Sequence, residues 1–95
     1  MVKKTKFGVC IMNDSVNSFD RVIQIFQDVF SWDITQAGNA AMLIHMKGEY
    51  IVKVFDKEDS ALYIAQILRR QGLNTKLIID KSGKIMTRSS IWIIR

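Results

Sequence analysis

The chain has 95 residues, of which 48% are apolar and 24% charged, with one cysteine and a formal net charge of +5. That length makes one domain with a thin core, and the composition is too apolar for disorder. The lone Cys10 excludes an internal disulfide, and no apolar run approaches the ~20 residues of a membrane span.

Lys6 to Met12 (KFGVCIM) is a β-branched and aromatic run and is read as a strand, with Cys10 packed in the core. Asn13-Asp14-Ser15 breaks it with turn chemistry. Phe19, Val22, Ile23, Phe26, Val29 and Phe30 recur at three- and four-residue spacing, which predicts an amphipathic helix with Ser18 as N-cap. Asp33-Ile34-Thr35-Gln36 resembles a capping box and starts a second helix. That helix runs through Ala37, Ala40, Ala41, Ile44 and His45 and stops at Gly48. Glu49 to Phe55 alternates like a half-buried strand. Asp56 is expected to cap a third helix with Ala61, Leu62, Ile64, Ala65 and Leu68 inward; Arg69 and Arg70 suit its C-terminal end, and Gly72 ends it. Lys76 to Ile79 is a third strand. After a turn at Lys81-Ser82-Gly83, Lys84 to Arg88 is a candidate hairpin partner.

The order β-α-α-β-α-β predicts an α+β two-layer sandwich. A three-stranded, mostly antiparallel sheet carries its helices on one face, with strands one and three flanking strand two or in another order, and with a possible extra C-terminal strand. The organisation expected is a short basic arm at 1–5, a domain at 6–80 and a basic extension at 81–95. Residues 7–80 hold seven basic and nine acidic side chains, so the positive charge belongs to the two ends. Such ends can touch nucleic acid or acidic partners, or simply be solvated. The N-terminal apolar stretch stops at Asn13-Asp14, too short for a signal peptide, and a cytoplasmic location is expected.

Asn13, Asp14 and His45 offer a neutral acceptor, a carboxylate and an imidazole. Those are the groups that can surround a positively charged amino group. The apolar positions of the helix after Asn-Asp could supply a greasy pocket beside them. The combination points to a reader of the free N-terminus of another polypeptide.

Ile11-Met12-Asn13-Asp14, then Gln27-Asp28-Val29-Phe30, then Ala37, Met42-Leu43-Ile44-His45 and Gly48, then Val54-Phe55 and Glu58, resemble the ClpS adaptors of the bacterial Clp proteases. The likeness covers about residues 6–79. The resemblance implies a monomeric adaptor that binds substrates beginning with Leu, Phe, Tyr or Trp. It hands them to an AAA+ unfoldase of ClpA or ClpC type. It places the α-amino contacts on Asn13, Asp14 and His45. It places the side-chain pocket on Asn17, Phe19, Val22, Ala41, Ile44 and Ile78, and unfoldase docking on Glu58. Phe19 would stand where the family usually has a methionine that screens out β-branched first residues.

The chain also departs from that pattern. Ser15 stands where the family often has a second Asp, Asn17-Ser18-Phe19-Asp20 where it usually has Thr-Pro-Met-Glu, and Ala41 where it usually has Met. The arm before the first strand is shorter than in many members, which leads to an expectation of docking with weak handover. No nucleophile–base pair, nucleotide loop or metal cluster is legible, so the chain reads as a non-enzyme without a cofactor or metal. Two other binding readings stand beside the adaptor. One is a protein-docking module like the C-terminal domain of ribosomal protein L7/L12, which shares the element order. The other is a nucleic-acid binder using the basic termini with Trp32 or Trp92 stacking, which lacks any RRM or KH signature.

Overall fold

The computed structural model describes residues 5–81. β1 (Lys6–Met12), α1 (Phe19–Phe30), α2 (Ile34–Lys47), β2 (Glu49–Phe55), α3 (Glu58–Arg70) and β3 (Thr75–Asp80) follow in the expected order. The 84–88 hairpin partner, the Ile91–Ile94 run with Trp92, and residues 1–4 of the basic arm lie outside the described residues.

The sheet order is β2-β1-β3, and both pairings are antiparallel. β1 is thus central, not β2. The reason is visible in the strand itself: Gly8, Val9, Cys10 and Ile11 are buried in succession, as befits a strand covered on both faces. A register shift between Val9 and Cys10 in the pairing with β2 marks a bulge. Val52 joins Val9 and Ile11 in the main core.

All three helices pack on that side. Ile25 and Phe26 of α1, Ile44 of α2 and Leu68 of α3 meet there. Ala37, Ala40, Ala61 and Ala65 are buried at the contacts, where small side chains let the helices lie close to their neighbours. Ser18 Oγ accepts from the Arg21 N–H, and Asp33 Oδ1 from the Gln36 N–H, so both expected N-caps are formed. The third is different. Lys57, not Asp56, occupies the N-cap of α3, and no side chain caps it. Asp56 instead pairs with Lys6 across the start of β1. Leu62, expected inward, is 39% exposed, because Ala61, Ala65 and Leu68 already fill the inner stripe.

Two turns set the geometry around the ends of α2. Gly48 ends it at φ +86°, a conformation that glycine adopts without strain. Ser31, between α1 and α2, adopts φ +59° without being glycine. It directs Trp32 against Phe30 and Phe26, with ring centroids 4.6 and 5.6 Å apart.

Candidate functional site

β1 delivers its last residue into a junction of three segments. The Met12 N–H donates to the Asn74 carbonyl and the Asn13 N–H to the Gly48 carbonyl, each at 2.8 Å. Asn13 is therefore pinned beside the end of α2, the turn that carries His45.

Asp14 organises the loop that follows. Its Oδ1 accepts the Val16 and Asn17 backbone N–H groups, both at 3.0 Å. The Asn17 N–H holds the carboxyl below its ordinary 3.8, against desolvation, with the Val16 N–H and the Asn17 side-chain amide adding to it. Asp14 is thus an anion at neutral pH. The Asn17 amide reaches Asp14 at 3.3 Å and the Gly72 carbonyl at 2.9 Å. Arg21 donates to the Gln71 carbonyl at 3.1 Å. These bonds tie the loop to the α3–β3 turn, a link between distant segments that nothing in the local sequence signals.

The helices supply the walls. Phe19, the first residue of α1, is 41% exposed at the rim, and Val22 follows one turn later, half-buried. From α2 come Ala41 and Ile44, each 3% exposed, and the exposed His45. Asn13, Asp14, Asn17, Phe19, Val22, Ala41, Ile44 and His45 line one cavity of about 270 Å³.

Ile78 does not join them. It lies across from Gly8 with Cys10 and Ile51, on the sheet face away from the helices. Strand parity sends it there: its neighbour Leu77 packs on the helix side instead. The residue that sequence reasoning missed is Leu73. With Ile11 and Met12 it borders a small void of about 20 Å³ that shares Asn13, Asp14, Asn17, Val22 and Ile44 with the main cavity. Leu73 follows the Gly72 turn, where no periodicity distinguishes an inward residue. Glu58 stands exposed in the first turn of α3 and is not part of the lining.

Among the described residues, no group of three or more His, Cys, Asp and Glu could hold a metal ion, and no helix is long and apolar enough to cross a membrane.

The family model of the ATP-dependent Clp protease adaptor protein ClpS matches residues 2–86. The chain belongs to the ClpS family. It is 30% identical over 63 residues to the ATP-dependent Clp protease adapter protein ClpS of Pectobacterium carotovorum, a match covering 66% of this chain and 59% of that protein. Against the ClpS of an Enterobacter species the figures are 28% over 61 residues, 64% of this chain and 58% of that protein. The matched stretch thus spans less than two thirds of these curated relatives. Agrobacterium tumefaciens ClpS2, solved bound to L-phenylalaninamide, superposes with a TM-score of 0.75 at 19% identity, covering 82% of this chain and all of that one. At that identity the likeness is one of fold, and the fold agrees: α+β, with three helices on a three-stranded antiparallel sheet.

Proposed function

We propose that this chain is a non-catalytic adaptor that holds the first residue of a polypeptide and presents it to the AAA+ unfoldase of a Clp protease. The observation that carries this reading is the division of the cavity. Asn13, Asp14 and His45 stand with Asn17 as its polar part, and Phe19, Val22, Ala41 and Ile44 form its apolar part. An ammonium leaving water needs acceptors and negative charge around it. The Asn13 side-chain carbonyl and an unprotonated nitrogen of His45 serve as acceptors, and Asp14 supplies the charge. A bulky apolar side chain then lies against the helix walls and contributes roughly 1.5–3 kcal/mol by burial. A cavity of about 270 Å³ is smaller than the roughly 300–1,000 Å³ of drug-sized sites and suits one residue better than a cofactor.

L-phenylalaninamide, the ligand of the Agrobacterium protein, carries a free α-amino group, a benzyl side chain and an amide in place of a carboxylate. That is the chemistry of a chain beginning with Phe. By this reading the substrates begin with Leu, Phe, Tyr or Trp, the unfoldase is of ClpA or ClpC type, and the protein works as a monomer in the cytoplasm. Glu58, in the first turn of α3, faces that unfoldase; Glu58→Ala weakens docking and leaves peptide binding intact.

Fluorescence anisotropy with paired peptides tests the reading. A peptide with a free N-terminal Leu or Phe should bind, and N-acetylation should weaken it at least tenfold. Equal binding of the two forms, or binding of neither, removes the N-terminal-residue reading.

A further inference from the structure

The turn after α3 has two carbonyls that its own bonds do not use. Gly72 stands at φ +97°, and its N–H donates to the Arg69 carbonyl at 2.9 Å. The Leu73 N–H reaches back to the Leu68 carbonyl at 3.1 Å. This is a Schellman ending, which spends the N–H groups of the turn on the last carbonyls of the helix. The Gln71 and Gly72 carbonyls take their donors from elsewhere in the chain. Arg21 donates to Gln71 at 3.1 Å, and the Asn17 side-chain amide donates to Gly72 at 2.9 Å.

Asn17 and Arg21 are four positions apart and straddle the Ser18 cap of α1. Among the described residues, theirs are the hydrogen bonds that join α1 and the loop before it to this turn. α1 itself packs chiefly on α2. The Asn17 amide nitrogen serves Asp14 at 3.3 Å as well as Gly72, so the place of the turn decides whether it still reaches Asp14. Leu73, next in the chain, is buried beside the small void shared with Asn13, Asp14 and Asn17. Arg21 is exposed, lies outside the cavity lining and has no ion-pair partner among the described residues. Its bond to Gln71 is what fixes its guanidinium.

We propose that Arg21 is a positioning residue of the peptide site. It acts through the turn. Its bond holds Gln71, so the next carbonyl, that of Gly72, stays in reach of the Asn17 amide, and Asn17 stays on Asp14. This role rests on the cavity holding a first residue, as proposed above. It has the opposite sign to the effect of Arg21's charge. A cation beside the cavity repels an incoming ammonium, so charge alone would make removal of Arg21 a gain in affinity, largest at low salt. Loss of positioning makes it a loss.

Arg21→Met keeps the apolar stem and removes the donors and the charge; Arg21→Lys keeps the charge and a donor. Both are compared with the wild type by anisotropy, using a peptide with a free N-terminal Leu at about 0.15 M salt. Arg21→Met should bind at least fivefold more weakly, and Arg21→Lys should recover most of that loss. In the same proteins, amide exchange is followed by NMR. The Val16 and Asn17 N–H groups, which Asp14 accepts, should exchange at least fivefold faster in Arg21→Met, with the amides of β1 unchanged. Should Arg21→Met not fold, Arg21→Ala carries the same measurements. Unchanged or tighter binding by the variant, where the wild type binds, overturns the proposal. Weaker binding without faster exchange at Val16 and Asn17 also overturns it, because Arg21 then touches the peptide itself. Faster exchange throughout the chain overturns it too, as a loss of stability alone. A wild type that does not bind the peptide removes the first-residue reading instead, and the exchange at Val16 and Asn17 then decides whether Arg21 positions the loop: rates equal to the wild type show that it does not.

Discussion

The helix pair α1–α2 is closed at one end and open at the other. At the closed end Phe26, Phe30 and Trp32 meet ring against ring, with centroids 4.6 to 6.0 Å apart. At the open end Phe19 and Val22 face Ala41, Ile44 and His45 across the cavity. Both ends are walled by apolar side chains, but at the closed end the three rings pack on one another, and the space left there, about 180 Å³ beside Trp32, Ala40 and Leu43, opens toward Tyr50 and Val52 of β2. At the open end Ala41 is small, and Asn13, Asp14 and His45 put acceptors where a packed core would have carbon. A core position and a guest position thus differ less in residue type than in whether the neighbours complete the contact.

The comparison breaks most visibly if the closed end is emptied. Phe26 is wholly buried, so Phe26→Ala should cost about 3–5 kcal/mol in denaturant unfolding. Val22→Ala, at the half-buried open end, should cost about 1 kcal/mol or less. Equal costs would mean that the cavity wall is ordinary core and that the two ends do the same work.

Asp14 separates the loop's architecture from the charge it carries. Asp14→Asn keeps a carbonyl to accept the Val16 and Asn17 N–H groups but removes the anion. It should therefore leave the fold in place and weaken binding of a free N-terminal Leu peptide about tenfold, roughly 1.4 kcal/mol. Asp14→Ala should lose the turn as well, and about 1 kcal/mol of stability with it. The folded protein holds the carboxyl below its ordinary 3.8, so its contribution is complete above that pH and is lost as the pH falls through the lower folded value. Asp14→Asn should flatten that part of the acid limb and no other. Unchanged affinity in Asp14→Asn would leave Asp14 as a turn residue only.

Most of the open end was legible because it is local. The Asn-Asp break after a strand, the Ser18 cap and the three- and four-residue spacing of α1 put Asn13 in a turn and Phe19 and Val22 on a helix without reference to the rest of the chain, and the family resemblance adds their place in a pocket. The second helix and its glycine stop likewise put Ala41, Ile44 and His45 on one helix, and the resemblance makes Ala41 and Ile44 pocket walls. What failed depended on pairing. Ile78 was set among the pocket residues by family likeness, and only the β1–β3 register shows which face it takes. The position of β1 at the centre was written in its unbroken apolar run, yet the order of three short strands also depends on which edges the connections leave free. Asp56 looks like a helix cap in sequence. Its cross-strand partner Lys6 is fifty positions away and invisible there.

Phe19 sharpens the comparison at the rim. At 41% exposure it is neither core nor fully solvated, as a gate over the open end would be. Its stiff ring should exclude β-branched first residues, so Phe19→Ala should admit Ile- and Val-starting peptides, gaining severalfold in affinity, at small cost to Leu. Wild-type protein that already binds Ile as well as Leu, or a substitution without effect, would make Phe19 a wall of the fold and not of the site.

The smallest effect belongs to the turn that holds the closed end shut. Ser31 sits at φ +59° with its N–H donating to the Gln27 carbonyl at 3.0 Å. The left-handed conformation costs an L-residue roughly 1–2 kcal/mol, and glycine would remove that cost. Glycine also loosens the unfolded chain, which takes back about 0.4–1 kcal/mol. The second offsets part of the first, and Ser31→Gly should stabilise the protein by about 1 kcal/mol or less, read as a small rise in denaturation midpoint. Peptide affinity should not move, because the turn positions Trp32 and not the cavity. A fall in stability would show that the conformation is not the turn's main cost. A change in affinity would show that the two ends of the helix pair are coupled.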